Sequence, residues 1–407
     1  MVTLLSIVTS LGATIARMAK ATATVISRMI IIRSVFFINR IICTKGKKFL
    51  RNGLSTTYFY RMKNNIRHLY FEAIQEQLKD WDEPKFRATQ VYEWLWKKHV
   101  GDFSEMTNLS KKLREQLEDN YFIAKVKVHH SQFSNDGTIK NRLLLHDGSF
   151  VESVIIPTDK RLTVCVSSQV GCSLSCKFCA TGYLPRTRNM DFDEIVDEVT
   201  LANEQALQHF GKGITNIVFM GMGEPLLNYA NVLKAIEKIT DPECLGMSPR
   251  RITVSTAGVA KMIRKLGDDQ VRFKLALSLH AANDLKRNEI MPINETNNLK
   301  ELVEALNYFY SLTKNEITFE YILLNNVNDS LNDAAELVRI YRQVPADLVN
   351  IIEYNPIDAA QFEKTNDSRS EEFLYFLESK KVNARLRRSR GKDIDAACGQ
   401  LANVDRV

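Results

Sequence analysis

Three cysteines fall within eight residues in Gly171-Cys-Ser-Leu-Ser-Cys-Lys-Phe-Cys179, a Cys-x3-Cys-x2-Cys spacing. Three thiolates on one short loop can hold three irons of a cubane [4Fe-4S] cluster and leave the fourth iron open to a ligand. Zinc is the competing use of the same loop, with Cys165 or Cys398 as the fourth ligand. Polar, glycine-rich stretches recur where apolar runs end. Met220-Gly-Met-Gly-Glu-Pro225 supplies glycines that let backbone approach a small polar ligand, and Glu224 offers a carboxylate to an ammonium group. Ser255-Thr-Ala-Gly258, Ser278-Leu-His280 and Glu353-Tyr-Asn-Pro356 close three further runs. Taken singly, each reads equally well as ordinary strand-end polarity, and His280 as a structural histidine. Taken together they line one rim with the cysteine loop.

The elements that must position these groups alternate. After Arg161 six apolar runs suit strands: Leu162 to Val166, Asn216 to Met220, Arg251 to Ser255, Phe273 to Leu279, Ile317 to Leu323 and Leu348 to Tyr354. Helical periodicity lies between them, as in Asp193 to Phe210, Leu299 to Leu312 and Ala334 to Tyr341. Strand then helix, repeated, implies a parallel sheet with right-handed crossovers. Six units are too few for an eight-fold barrel, so the expected fold is α/β, a partial (β/α)6 barrel rather than a flat doubly wound sheet. Either way the chemistry belongs at the carboxyl ends of the strands. Residues 62–121 read as a small N-terminal helical domain and 122–160 as a short β extension, with Asp147-Gly148 as a hairpin signal. The barrel is expected over 161–365, followed by a C-terminal helix and tail over 366–407.

The chain has 407 residues, 25% charged and 45% hydrophobic, which excludes wholesale disorder and a polytopic membrane protein. Its formal charge of +7 is unevenly placed. Residues 1–61 hold ten Lys or Arg and no acid, leaving 45 basic against 48 acidic side chains in the rest. Nucleic-acid binding therefore cannot be argued from the isoelectric point. The acid-free leader suits a start placed upstream of Met62, an organelle transit peptide or a basic arm; it does not suit a membrane span or a secretory signal. Seven scattered cysteines are no disulfide framework and point to a reducing compartment with metal or thiol chemistry.

Cys172-x3-Cys176-x2-Cys179, with Phe178 before the last cysteine, resembles the radical S-adenosylmethionine superfamily. More narrowly, Val164-Cys-Val-Ser-Ser-Gln-Val-Gly-Cys172, Gly221-Met-Gly-Glu-Pro, Ser278-Leu-His-Ala and Asp393-Ile-Asp-Ala-Ala-Cys-Gly-Gln-Leu401 resemble the RlmN family of dual-specificity adenine-C2 RNA methyltransferases. The likeness runs from about Met62 to Leu401. It implies that Cys172, Cys176 and Cys179 bind one [4Fe-4S] cluster, and that Gly223, Glu224, Ser255, Ser278, Leu279, His280 and Asn355 surround S-adenosylmethionine. It further implies that Cys398 carries the methyl group, that Cys165 forms a transient disulfide with it, and that Glu152 accepts a proton. Carbon 2 of adenine is electron-poor and cannot attack a sulfonium methyl as a nucleophile, so the family uses two S-adenosylmethionine molecules per turnover and radical addition from a methylated cysteine. The small neighbours Ala396, Ala397 and Gly399 suit a mobile tail.

The partners implied are 23S ribosomal RNA at the peptidyl transferase centre, transfer RNA at the adenosine beside the anticodon, and an electron donor such as flavodoxin or ferredoxin. A cytoplasmic monomer without membrane attachment is implied, with organelle import if residues 1–61 are a transit peptide. Two basic groups, Lys111-Lys112 with Arg114, and Arg385, Arg387, Arg388 and Arg390, could hold phosphate or lie on solvated helix faces. C8 methylation of the same ribosomal adenosine and a non-catalytic, zinc-stabilised RNA-binding protein remain the alternatives.

Overall fold

A computed structural model of the chain describes residues 63–403, and those from Lys63 onward form one compact unit. The expectations for residues 1–61 lie outside the described residues. Three helices come first, α1 (Phe71–Asp80), α2 (Phe86–Trp96) and α3 (Lys111–Asn120). Ser110 starts α3 by accepting the Leu113 N–H on its side chain, and Leu113 and Leu117, one turn apart, bury the inner face.

Ten strands then form one sheet: β1 (Lys127–Phe133), β2 (Ile139–Leu144), β3 (Phe150–Pro157), β4 (Leu162–Cys165), β5 (Asn216–Phe219), β6 (Ile252–Thr256), β7 (Lys274–Ser278), β8 (Ile317–Leu323), β9 (Leu348–Glu353) and β10 (Ala384–Arg387). Their order across the sheet is β10-β9-β8-β7-β6-β5-β4-β3-β2-β1. From β4 to β10 all pairings are parallel, and from β4 back to β1 they are antiparallel. The six expected strands fall within about a residue of their forecast limits. A seventh parallel strand, β10, follows α10 (Asp367–Ser379), and its Ala-Arg-Leu-Arg sequence hides a strand inside a basic cluster. Arg385 and Arg387 are therefore strand residues, and the helix-face alternative for that cluster is corrected. The β extension is the antiparallel wing of the barrel sheet itself.

Helices cover the outer face: α4 (Phe192–Phe210), α5 (Tyr229–Thr240), α6 (Ala260–Asp268), α7 (Asp284–Ile290), α8 (Leu299–Thr313) and α9 (Leu331–Tyr341), besides α10. Among the described residues, no helix is long and apolar enough to cross a membrane. The start of α4 is the most unusual part of this layer, because Asp193, Glu194, Asp197 and Glu198 are all buried there. Arg67, 2% exposed, lies 2.9 Å from Asp197 and 3.9 Å from Asp193, and its guanidinium covers the Trp96 ring. This pair joins the N-terminal helices to the barrel layer. Removing one partner of a buried ion pair strands the other charge in an apolar setting, so Arg67→Ala is expected to lower stability by about 3–5 kcal/mol. Denaturant unfolding with a loss below about 1 kcal/mol would show that the pair is not the joint described.

Candidate active site

Alternate residues of eight strands face inward, and their types decide what the barrel holds. Thr163, Asn216, Thr253, Thr318 and Asn350 are small and polar, so the interior is not packed solid. It encloses a cavity of about 610 Å³ that also meets Val154, Cys165, Glu320, Arg385 and Arg387. A second cavity, of about 160 Å³, lies at the carboxyl ends of the strands. Cys172, Cys176 and Cys179 line it together with Gly223, Glu224, Ser255, Ser278 and His280. Cys398 lines both cavities.

Burial raises the thiols of the cysteine loop, that of Cys172 to about 11 and those of Cys176 and Cys179 likewise upward. Buried thiols of this kind are poised for a cationic centre that takes them as thiolates. Tetrahedral zinc with Zn–S near 2.3 Å needs sulfurs about 3.8 Å apart. Among the described residues, the one trio of ligand atoms all within 4.8 Å is His68, Asp191 and Asp193, not the cysteines. Three cysteines lining one cavity suit a cubane cluster with one iron left open to a ligand.

The glycine-rich turn is shaped by a neighbouring loop. Ser168 N and Gln169 N both donate to Met222 O, and Gln169 Oε1 accepts the Glu224 N–H at 2.9 Å. Gly223 has φ +94°, and a Cβ there would lie 2.5 Å from Gln169 Cβ, so only glycine fits. Glu224 is buried, which raises its pKa, and its two oxygens accept from Ala257 N at 2.7 Å and Leu226 N at 3.0 Å. His280 adopts φ +55° and accepts the Ile322 N–H on Nδ1 at 3.1 Å, which leaves the neutral ring's proton on Nε2. Burial, then the charge of Arg287, lowers its pKa to about 3. Phe178 packs edge-on against this ring at 4.8 Å.

Two expected cofactor residues do not line either cavity. Leu279 turns its side chain into the core, and only its carbonyl serves the rim, by accepting from Arg287 Nε at 2.9 Å. Asn355 donates to Ser389 Oγ at 2.9 Å. Glu152 is not an exposed carboxylate on a sheet edge: β3 lies between β2 and β4, and Glu152 is 2% exposed. Its Oε2 accepts from Ala402 N at 2.8 Å and Asn403 N at 3.0 Å, and it opens onto neither cavity. All six cysteines among the described residues are free thiols, so no disulfide links Cys165 to Cys398 here.

The tail bearing Cys398 is held rather than loose. Gly399 O accepts from Ala180 N at 2.7 Å, and Leu401 O from Thr181 Oγ1 at 2.7 Å. Ala396 and Ala397 are small because they are buried, at 6% and 4% exposure. The neighbouring arginines have internal partners too: Arg385 with Asn350, Arg388 with Asp367, and Arg390 with the Asp136 carbonyl. Arg387 borders the larger cavity together with Cys165 and Cys398, and its pKa is raised, chiefly by the Cys398 sulfur against the cost of burial, with Glu320 and Cys165 adding to it.

A supporting residue had no spacing signal in the sequence. Arg287 is fully buried on α7 and donates to the carbonyls of Ala257, Ser278 and Leu279, with Asn294 Oδ1 holding its remaining arm. It ties together the ends of β6 and β7.

A partial parallel barrel with a three-cysteine loop after its first parallel strand defines the class, and the family model of the radical SAM superfamily matches residues 166–338. The ribosomal RNA large subunit methyltransferase N-terminal domain matches residues 64–123. A Cytophaga hutchinsonii protein named "Probable dual-specificity RNA methyltransferase RlmN" is 54% identical, over 86% of this chain and 96% of its own. The Nitratidesulfovibrio vulgaris "Dual-specificity RNA methyltransferase RlmN" is 44% identical, over 78% of this chain and 88% of its own. The crystal structure of a radical SAM methyltransferase from Sphaerobacter thermophilus superposes with a TM-score of 0.79 at 37% identity, covering 84% of this chain and all of the other. The chain therefore belongs to the RlmN family of RNA methyltransferases, which use S-adenosylmethionine.

Lysine keeps the charge of Arg287 but cannot reach several carbonyls at once. In protein with a reconstituted cluster, Arg287→Lys is expected to weaken S-adenosylmethionine binding at least about tenfold. Equilibrium dialysis showing unchanged affinity would remove the rim-tying role.

Proposed function

We propose that the chain methylates C2 of adenosine in 23S ribosomal RNA and in transfer RNA, with Cys398 as the methyl carrier. The observation that carries this reading is the position of Cys398, which borders both the cavity of the cysteine loop and the larger cavity of Cys165 and the arginine strand. Cys172, Cys176 and Cys179 would hold the cluster, and Gly223, Glu224, Ser255, Ser278 and His280 would surround S-adenosylmethionine. Bound there, the cluster supplies an electron to break a carbon–sulfur bond of S-adenosylmethionine. Flavodoxin or ferredoxin would be the electron source.

The larger cavity is of ordinary size for a nucleotide-sized ligand. An adenine turned out of its stack would enter it past Arg387, Arg388 and Arg390, at a cost that is lowest in loops. Residues 64–123 would assist on the RNA. There Lys111 is open to solvent beside Glu115, whereas Arg114 is spent on the Ser104 carbonyl. Cys398 first accepts a methyl group on sulfur and then delivers the carbon to C2. The radical adduct would return one electron to the cluster as Glu152 removes the C2 proton. Cys165, as a thiolate, then attacks the Cys398 sulfur, and the sulfur–carbon bond breaks with its electron pair left on the exocyclic carbon. That carbon takes up a proton to become the methyl group, and the two cysteines remain as a disulfide. Burial raises the Cys165 thiol strongly, so the neighbouring Arg387 cation is what favours its thiolate. Ala402 N and Asn403 N occupy only Oε2 of Glu152, so Oε1, with Lys140 Nζ 3.8 Å away, would be the oxygen that takes the proton.

Anaerobically purified protein is expected to be brown with about four irons per chain, and a Cys172, Cys176, Cys179 triple alanine variant colourless. A colourless zinc protein would overturn the enzyme chemistry proposed here. Cys398→Ala is expected to keep the cluster and yield no methylated RNA, and Cys165→Ala to trap a protein–RNA adduct on a denaturing gel. Mass spectrometry of digested RNA should match 2-methyladenosine; 8-methyladenosine alone would reassign the carbon.

A further inference from the structure

Among the described residues few border both cavities, and Glu320 is the one charged side chain of those shared. It lies at 3% exposure in β8, paired in register with Ser278 on one side and Asn350 on the other. Its Oε1 accepts from Asn350 Nδ2 at 2.6 Å and Thr318 Oγ1 at 3.4 Å. Among the described residues its Oε2 has no hydrogen-bond partner, and Arg387 Nη1 stands 3.9 Å away, beyond hydrogen-bond reach. A buried carboxylate oxygen without a donor is costly, and such atoms are rare unless a ligand completes them. No step described above uses this group.

What could complete it follows from where it sits. The base that receives a carbon from Cys398 must lie against Cys398, at the junction that Glu320 also borders. Adenine has a single hydrogen-bond donor group, its exocyclic 6-amine, and otherwise presents ring-nitrogen acceptors. A carboxylate matches only the amine. Guanine places a carbonyl at that position and would be repelled.

We propose that Glu320 is a specificity-determining residue whose carboxylate accepts a hydrogen bond from the 6-amino group of the target adenine. This assignment rests on the base-methylation reading above and goes beyond it by naming the contact that selects the base. Burial raises the Glu320 carboxyl, whereas the Arg387 charge lowers it and favours the ionised acceptor.

The test uses full-length protein with its cluster and two synthetic RNA stem-loops, one with adenosine at the target position and one with purine riboside, which lacks the 6-amine. Wild type is expected to favour adenosine by about 10- to 100-fold in kcat/KM. Glu320→Ala should bring that ratio close to one by losing activity on adenosine alone. Glu320→Gln keeps an acceptor oxygen without the charge, and should retain most of the preference. Methylation of Cys398 in the absence of RNA, followed by mass spectrometry of the protein, should be unchanged in both variants. A Glu320→Ala enzyme that still prefers adenosine as wild type does would overturn the assignment. So would weakened Cys398 methylation with the base preference intact, because the carboxylate would then serve S-adenosylmethionine. Wild type that methylates Cys398 but neither RNA would overturn the underlying reading, and the assignment with it.

Discussion

Four carboxylates buried in the first two turns of α4 have to be paired, and the segments that pair them are the ones that frame the site. The helix N-terminus, with its free N–H groups and positive dipole end, lowers the cost of gathering negative charge there. It does not remove that cost, so each acid recruits a partner from elsewhere. Asp193 takes Asn65 and His68, and Asp197 takes Arg67, Lys125 and the Val126 amide. Glu194 takes Arg188 and His146. The N-terminal helices, the start of the antiparallel wing and the strand leading out of the cysteine loop are thus fixed to one helix. A hydrophobic face would bury as much area but would not specify which segments meet it.

Glu198 carries the constraint into the chemistry. Among the described residues it has no cation partner; it accepts the Ser167 N–H at 3.0 and 3.2 Å, and burial pushes its pKa well above its ordinary value. Ser167 Oγ donates to the Glu152 carbonyl at 2.7 Å and also accepts the Met222 N–H at 2.9 Å. The segment between Cys165 and Cys172 is therefore held from below by α4 and from the side by the glycine-rich turn. A thiol wanted in one cavity and three thiols wanted in another leave little freedom for the chain between them, and these bonds use up what remains.

The order and type of the barrel strands were legible because period-two apolar runs alternated with helical periodicity, a local signal that survives without any partner. The cysteine loop, Gly223, Glu224, Ser255, Ser278 and His280 were legible through motif resemblance, and they do meet in one cavity. Strand β10 was not, since its inward arginines mask the alternation. Arg287 and Glu320 were missed for a different reason. Each is a single charge in an otherwise unremarkable stretch, and its meaning lies in contacts with β6, β7, β9 or the tail, which no spacing encodes. Leu279 and Asn355 show what a motif does not say: the Leu279 carbonyl accepts from Arg287 and Asn355 donates to Ser389, contacts that no spacing announces.

The polar barrel interior and the pinned tail are two sides of one arrangement. A sheet that does not close leaves a gap between β10 and the wing, and the tail after β10 bridges it. Asp393 accepts from Ser134 Oγ and Asn135 N, and Gly391 N donates to Asp136 Oδ2 at 2.9 Å, all in the turn between β1 and β2. Gly391 is at φ +66° with Thr138 and Ala396 too close for a side chain, which sets the sharp entry into this bridge. Cys398 is consequently part of a wall as well as a carrier. The bonds that hold the wall at Asp393 are exposed, in contrast to the buried bond at Leu401. Exposed bonds open more readily than buried ones, so the Asp393 end of the bridge is its weaker end, and the Leu401 end, whose carbonyl accepts from Thr181 in a buried setting, is the firmer one beside the cysteine loop.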